Sequence, residues 1–129
     1  MLTQFKGKKI SAIYSLLPSH EVDFMDEMGN YSFTEAQMKK LKKVMGFGTR
    51  RVALDGETVG DYAIYAVEQM INDGVFTESE IGAIIVTTTS PDHFIPPISN
   101  IVQGKFNFDE DVICIDISQG CCGYAVGLT

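Results

Sequence analysis

The sequence predicts one α/β domain built on a mainly parallel sheet. Two runs of apolar and β-branched residues, 81–88 and 112–117, have the length and composition of buried strands. Helical patterns at 58–72 and 98–105 precede them, so helix and strand alternate along the chain. Right-handed crossovers between parallel strands follow from that alternation. No repeat or linker divides the sequence, and we therefore treat residues 1–129 as one domain.

Composition limits the classes of protein to which the chain can belong. It is 45% hydrophobic, which is enough for a core, and it has no apolar run long enough to span a membrane. A net charge of −7 argues against general binding of nucleic acid. Residues 1–9 lack the apolar core of a signal peptide, and the three cysteines are an odd number, so we expect free thiols in the cytoplasm.

The first third of the chain predicts a strand, a loop and a helix. Residues 9–16 have the pattern of a strand that ends before Pro18, and residues 19–31 are polar like a loop. Ser32 and Glu35 are spaced as a capping box and predict the start of a helix there.

This predicted helix has one apolar face and many lysines. Two glycines, Gly46 and Gly48, are expected to end it. Two interpretations of the basic residues stay open: a solvated helix face, or a docking surface for a nucleotide phosphate or an acidic protein. The apolar face comprises Met38, Leu41 and Met45, and the basic residues between 39 and 51, six of ten in the chain, are Lys39, Lys40, Lys42, Lys43, Arg50 and Arg51.

The middle of the chain gives the clearest helix and strand. Apolar residues recur at helical spacing through 58–72, with Thr58 and Asp61 as a cap and Gly74 as a stop. We interpret this stripe as core packing against the sheet. The run 81–88 is nearly all apolar, which predicts a central strand covered on both faces. A loop with prolines and then a short helix, 98–105, follow.

The last strand leads directly to a cysteine. After 112–117, the residues Ser118 to Gly120 break the strand pattern, and Cys121 opens a segment of small residues that is typical of a buried helix. A helix N-terminus favours the thiolate, which is the nucleophilic form of cysteine. The alternative is that Cys121 is a small apolar core residue, which is the commoner role of cysteine. Cys114 lies in mid-strand and is expected in the core.

Metal binding is not expected. Cys121 and Cys122 are adjacent, but the chain has no C-x-x-C spacing, and no histidine lies near the three cysteines. His20 and His93 are the only histidines, and both fall in polar segments where a surface role is expected.

Three motifs resemble one known family. The segment 116–124, Asp-Ile-Ser-Gln-Gly-Cys-Cys-Gly-Tyr, is similar to the nucleophile segment of the β-ketoacyl-acyl-carrier-protein synthase III family, in the thiolase superfamily. The segments 84–97 and 46–53 are similar to two further motifs of that family, in the same order. The resemblance implies a thiolase-like αβαβα layered fold with a mainly parallel mixed sheet. The chain would be the N-terminal half of that fold, truncated at its C-terminal end.

The resemblance also implies the chemistry. Cys121 would take up an acyl group as a thioester, and a decarboxylating malonyl-carrier carbanion would then attack that thioester in fatty acid or related biosynthesis. The family's catalytic histidine and asparagine fall beyond Thr129, and neither His20 nor His93 matches that histidine. The 129 residues alone are therefore expected to be inactive in condensation.

Substrate and partner expectations follow from the same resemblance. Acyl-coenzyme A or acyl-carrier protein would be the substrate, with no cofactor bound. The Trp and Arg that hold the adenine of coenzyme A in the family are replaced by Lys40 and Val44, so we expect the carrier protein to be preferred. Lys40, Arg50 and Arg51 are the candidate residues for binding this donor. Ile95 would line the acyl tunnel of the partner subunit in a homodimer.

Two alternatives remain open at the level of sequence. The chain could belong to a thiolase-fold acyltransferase or a polyketide-type synthase of secondary metabolism, since the adenine clamp is absent. It could also be a non-catalytic subunit of such a dimer. Slow alkylation of Cys121 would indicate the second alternative.

Overall fold

The computed structural model describes residues 6–129 and shows two compact units. The smaller unit is Leu17–Glu57, and the larger unit combines the described residues up to Leu16 with Thr58–Thr129. Within residues 6–129, no helix has both the length and the apolar character needed to cross a bilayer.

The smaller unit consists of a two-stranded antiparallel ladder and one helix. Strand β1, His20–Asp23, pairs with β2, Thr49–Val52, and helix α1, Glu35–Met45, lies between them in the chain. The prediction of a loop over 19–31 was therefore wrong at its start. The four residues of β1 form a strand because β2 supplies hydrogen bonds from about thirty positions later, a pairing that no local pattern reveals.

Helix α1 begins two residues later than the predicted capping box. Thr34 is the N-cap: its hydroxyl accepts from the backbone N–H of Gln37, and its own N–H donates to the Gln37 side chain at 2.8 Å. The segment from Thr34 fits the same S/T-x-x-E/Q pattern as the segment from Ser32, and the structure uses the later one. The predicted end is confirmed, since Gly46 adopts a left-handed φ of 70° at the C-cap.

The larger unit contains the predicted parallel strands. Strand β3, Ala83–Thr87, pairs in parallel with β4, Ile113–Ile117. Helix α2, Val59–Asn72, comes before β3, and helix α3, Ile98–Phe106, connects β3 to β4. The chain alternates helix and strand as predicted. The predicted ends of α2 are also confirmed: Thr58 and Asp61 form a capping box at its start, and Gly74 adopts a left-handed φ just after its end.

The core of the larger unit lies between one face of the sheet and helices α2 and α3. Four buried side chains form its centre, and residues from every second position of β3 and β4 pack against them. The four are Ile98, Val102, Phe108 and Val112. Side chains from alternate positions of a strand share one face, so the sheet buries only half of its apolar residues here.

Two predictions about strands were wrong. Residues 9–16 form no strand, and Ile10 and Ile13 are exposed, because no neighbouring strand in the described chain pairs with this segment. The segment 81–88 is covered only in part on its second face: a short helix, residues 123–127, lies against Ile85 and Thr87, yet Ile85 and its partner Ile115 are each nearly half exposed.

Candidate active site

Cys121 lies in a tight turn between a strand and a helix. β4 ends at Ile117, a 3₁₀ turn covers Gly120–Cys122, and helix α4, Gly123–Gly127, follows directly. Gly120 has a left-handed φ of 55°, which a residue with a side chain rarely adopts, and this glycine turns the chain out of the strand. The predicted strand–turn–helix order is confirmed, with the difference that Cys121 sits in the 3₁₀ turn, one residue before the α4 N-cap.

Two glycines allow α4 to lie directly on the sheet. A Cβ atom at Gly123 would fall 2.1 Å from Cγ2 of Thr87, a distance that no packed structure tolerates. One turn later, a Cβ at Gly127 would lie 3.3 Å from Cγ2 of Ile85. The helix after Cys121 is therefore held against β3 at close range, and this contact fixes where the turn places the thiol.

The three cysteines occupy different environments. Cys121 and Cys122 are exposed, whereas Cys114 is half-buried in β4 and packs against the core. Burial, and then the negative charge of Asp116, raise the pKa of the Cys114 thiol above its ordinary value of 9.0. Cys114 is thus a core residue, as predicted, and Cys121 is not one.

A cavity of about 550 Å³ opens beside this turn. It is lined by the loop that follows β3 and by the end of β4, with both apolar and hydroxyl side chains. Cys121 lies three residues beyond Ser118 at the edge of this cavity and does not itself line it. The lining residues that carry polar groups are Thr88, Thr89, Ser90, His93, Asp116 and Ser118.

Two aspartates that sequence reasoning had not assigned hold the loop 88–97 on both sides. Asp116 of β4 accepts hydrogen bonds from the backbone N–H groups of Ile98 and Ser99, at 2.8 and 3.0 Å, and so caps α3. Asp92 in the loop accepts from the first two N–H groups of α2, at 3.0 and 2.9 Å. Carboxylates at helix N-termini satisfy free donors and complement the helix dipole.

The only sequence signal for these caps was indirect. Asp116 opens the nucleophile motif and Asp92 follows Pro91, but neither stands at the usual N-cap position just before the helix that it caps. Gly60 is a second indirect signal of the Asp92 cap, because a Cβ atom at Gly60 would lie 2.3 Å from Oδ2 of Asp92. The loop is therefore tied to both helices by contacts that only the folded chain creates.

Ile95 lies at the tip of this loop and is almost fully exposed. Its side chain is 88% accessible, and that of Phe94 is 91% accessible. Two neighbouring large apolar side chains in this state are available for contact with another molecule.

Ion pairs within the smaller unit engage four of the six basic residues between positions 39 and 51. Arg50 pairs with Glu27, which raises the pKa of the guanidinium and lowers that of the carboxyl through their hydrogen bonds. Lys40 and Lys43 contact no carboxylate among the described residues. The other pairs are Lys39 with Glu35 at 2.6 Å, Lys42 with Asp23 at 2.9 Å and Arg51 with Glu21 at 2.9 Å.

The part of the chain that the structure describes contains no cluster of three or more His, Cys, Asp or Glu side chains arranged to hold a metal ion.

The sequence is similar to curated proteins named β-ketoacyl-[acyl-carrier-protein] synthase III. It is 32% identical over 125 residues to β-ketoacyl-[acyl-carrier-protein] synthase III of Lactobacillus helveticus, which covers 97% of the chain and 37% of that protein. It is 31% identical over 122 residues to the protein of the same name from Clostridium beijerinckii, covering 93% of the chain and 36% of the relative. The chain belongs to the β-ketoacyl-acyl-carrier-protein synthase III family. It matches the N-terminal part of that family and spans little more than a third of the length of these relatives.

Solved structures show the same fold. A 3-oxoacyl-(acyl-carrier protein) synthase from Burkholderia xenovorans superposes with a TM-score of 0.77 at 23% identity, covering 87% of the chain and 32% of that structure. The fold is thus thiolase-like, as the three motifs implied. No family model matches the chain.

Proposed function

We propose that this chain is the N-terminal portion of a 3-oxoacyl-[acyl-carrier-protein] synthase III, and that Cys121 holds the acyl group during condensation. The observation that carries the proposal is the position of Cys121. It is an exposed thiol in the turn between β4 and α4, within the segment that resembles the family's nucleophile motif. The enzyme would act in fatty acid or related biosynthesis in the cytoplasm.

In the first step, the Cys121 thiolate attacks the carbonyl carbon of an acyl thioester. A new carbon–sulfur bond forms at Cys121, and the carbon–sulfur bond to the donor breaks, so the donor leaves as a thiolate that takes up a proton. In the second step, malonyl-carrier protein loses carbon dioxide, and the resulting carbanion attacks the acyl group on Cys121. The β-ketoacyl product forms on the carrier, and the Cys121 thiolate is released.

The second step needs groups that these 129 residues do not supply. In the family, a histidine and an asparagine polarise the malonyl carbonyl and stabilise the enolate charge. His20 lies in β1 and His93 in the exposed loop after β3, and neither accompanies Cys121 in its turn. The 129 residues alone would therefore accept an acyl group but would not condense it.

The acyl donor would be a carrier-bound thioester in preference to acyl-coenzyme A. Lys40 and Val44 replace the aromatic and basic residues that hold the adenine in the family. Of the candidate donor-binding residues, Arg50 and Arg51 are already paired with carboxylates, while Lys40 contacts no carboxylate within residues 6–129. Lys40 is thus the residue of the three that is most available to an anionic donor.

The proposal includes a homodimer in which Ile95 reaches the acyl site of the partner subunit. The exposure of Phe94 and Ile95 at the tip of a loop held by Asp92 and Asp116 supports this arrangement. A loop anchored by such hydrogen bonds, with exposed apolar residues, is suited to insert into another subunit, since anchoring lowers the conformational entropy lost on docking.

Alkylation tests the role of Cys121. A sub-stoichiometric thiol reagent at neutral pH, followed by peptide mapping of the folded protein, is expected to label Cys121 first. Cys121→Ser should remove the fast phase, whereas Cys122→Ser, the matched control one residue away, should keep it. A fast phase that survives Cys121→Ser would contradict the proposal, and slow labelling of all three cysteines would indicate a non-catalytic subunit.

A further inference from the structure

Asp92 fixes the loop 88–97 to helix α2. Its two carboxylate oxygens accept hydrogen bonds from the backbone N–H groups of Val59 and Gly60, at 3.0 and 2.9 Å. Both bonds are part-buried and charge-assisted, and they hold the carboxylate at two points, so Asp92 cannot turn away from the helix without losing them. The contact joins positions 33 and 32 residues apart, which makes it a tertiary contact between the loop and the helix.

Helix α2 has a cap of its own at the same end. The Thr58 hydroxyl accepts a hydrogen bond from the backbone N–H of Asp61 at 3.2 Å, and the Asp61 carboxylate accepts one from the N–H of Thr58 at 3.0 Å. This capping box is built from residues of the helix start itself. Asp92 therefore ties the loop to a helix end that already carries a local cap.

Gly60 leaves room for the Asp92 carboxylate. Gly60 is buried, and a Cβ atom added there would overlap Oδ2 of Asp92. The overlapping atom is the end of a side chain that can change rotamer, so an added methyl group would displace the carboxylate and leave the backbone of α2 in place. A glycine in the first turn of α2 is thus matched to an aspartate in the loop.

The anchored position lies just before the two exposed apolar residues of the loop. Asp92 is two residues from Phe94 and three from Ile95, and both of these side chains are almost fully exposed. On their other side, two consecutive prolines restrict the backbone, and Asp116 holds the first N–H groups of α3. Only residues 93–95 lie between the Asp92 anchor and the first of these prolines, so the segment is held at both ends.

We propose that Asp92 is a positioning residue for the choice of acyl chain. By holding the loop against α2, it sets how far Phe94 and Ile95 reach into the acyl site of the partner subunit, and so how long an acyl chain that site accepts. The link to acyl chains rests on the proposed function, in which Ile95 reaches that site. An apolar wall that is held in place excludes longer chains, whereas a wall that can withdraw admits them.

Competition between two acyl-carrier-protein thioesters, one butyryl and one decanoyl, tests this role on the folded full chain. Mass spectrometry of Cys121 gives the ratio of decanoyl to butyryl adducts. A fall in stability lowers both adducts together, because only the folded fraction reacts, whereas a displaced loop changes their ratio. A purely structural role of Asp92 would therefore leave the adduct ratio unchanged.

Two substitutions on different elements should each raise this ratio about fivefold. Asp92→Asn removes the charge and one acceptor from the loop, and Gly60→Ala displaces the carboxylate from the side of the helix. The double variant should show no further rise, since both changes break the same contact. Ile95→Ala, which shortens a side chain through which Asp92 acts, should raise the ratio in the same direction.

Thr58→Ala is the matched control. It removes the other side-chain cap at the same end of α2, with a loss of helix stability of the same kind, and leaves the Asp92 contact intact. The adduct ratio in Thr58→Ala is expected to stay within about twofold of the wild-type ratio. Far-ultraviolet circular dichroism of each variant verifies that the fold is retained.

Three outcomes would contradict the role of Asp92. An equal rise of the adduct ratio in Thr58→Ala would trace the change to the stability of α2 as a whole. An unchanged ratio in Asp92→Asn or in Gly60→Ala would show that the carboxylate only caps the helix. Additive rises in the double variant would show two separate effects in place of one shared contact.

The outcomes for Asp92 and for Cys121 are distinguishable. Cys121 adducts whose ratio is the same in the wild type and in every variant would overturn the role of Asp92 and leave the proposed function standing. The absence of any adduct on Cys121 would overturn the proposed function and, with it, the role of Asp92 in the choice of acyl chain.

Discussion

Cys121, Cys122 and Cys114 lie within nine positions of one another but differ in what surrounds each thiol. Cys121 and Cys122 are exposed in the turn before α4, whereas Cys114 contacts the core and lies two residues from the Asp116 carboxylate. The sequence motif does not indicate which of the two adjacent thiols is more exposed, and in the structure both Cys121 and Cys122 are exposed. What separates them is position: Cys121 is the middle residue of the 3₁₀ turn, and Cys122 is its last residue and the N-cap position of α4, where its side chain makes no capping hydrogen bond.

At this scale we predict a pH-dependent difference in alkylation between Cys114 and Cys122. Burial and the Asp116 charge raise the pKa of Cys114 above 9.0, so its thiolate forms only in more alkaline solution. Cys114 should therefore stay unlabelled at pH 8, where exposed Cys122 reacts, and its rate should rise only above about pH 9. Rates from peptide mapping across pH 7 to 10 measure this. Equal rates for Cys114 and Cys122 at pH 8 would show that Cys114 is not buried as described.

At the scale of elements, the position of the turn that carries Cys121 depends on close packing between α4 and β3. Gly123 is buried, and the space for its side chain is taken by Thr87. Gly104 in α3 provides a contrast, because a Cβ atom there would meet no atom within 4 Å. The contact with Thr87 therefore requires a glycine at position 123, whereas no neighbouring atom requires one at position 104.

Gly123→Ala is expected to lower the free energy of unfolding by about 1–3 kcal/mol, because the added methyl group overlaps Cγ2 of Thr87. Adding Thr87→Ser, which removes that Cγ2 atom, should restore most of the loss. Gly104→Ala is the matched control and should stabilise α3 by up to about 1 kcal/mol. Denaturant unfolding followed by circular dichroism measures all three. An equal loss in Gly123→Ala with and without Thr87→Ser would refute the contact.

The elements also show how far a single sequence predicts this fold. Helix α2 and strands β3 and β4 follow from local periodicity, because each is long enough to show its pattern within its own residues. Strand β1 was missed because it pairs with the distant strand β2, and residues 9–16 have a strand pattern but pair with no strand of the described chain.

The candidate site likewise has a part that the sequence predicts and a part that depends on contacts between distant positions. The motif around Cys121 and its glycines is contiguous and could be found in the sequence. The caps from Asp92 and Asp116 join positions 17 to 33 residues apart, as do the ion pairs that occupy Arg50 and Arg51. Such contacts depend on tertiary structure, and propensity and spacing carry no signal for them.

At the scale of the whole molecule, the second edge of β4 and the loop residue Ile95 remain uncovered by the described residues. β4 pairs on one side with β3, and no described strand pairs with its other edge. An unpaired edge invites pairing with another chain. The resemblance to the synthase III family implies that β4 meets its mate near a two-fold axis and forms a ten-stranded sheet across the dimer.

We therefore predict a homodimer that depends on β4. Light scattering over a range of concentrations should show a dimer for the wild type. Ile115→Lys would place two lysines close together at the two-fold axis and should shift the protein toward monomer. Ile85→Lys is the control, since Ile85 is the β3 residue opposite Ile115 with almost the same exposure, and circular dichroism verifies that the fold survives the change beside α4. A well-folded wild-type monomer at high concentration, or equal effects of both substitutions, would argue against pairing through β4.

Whether Cys121 accepts an acyl group can be measured by mass spectrometry after incubation of the folded protein with an acyl-carrier-protein thioester. We expect a mass increase of one acyl group that maps to Cys121, is unchanged in Cys122→Ser and is lost in Cys121→Ser. The absence of any adduct, an adduct on Cys114 or Cys122, or an adduct that persists in Cys121→Ser would contradict it.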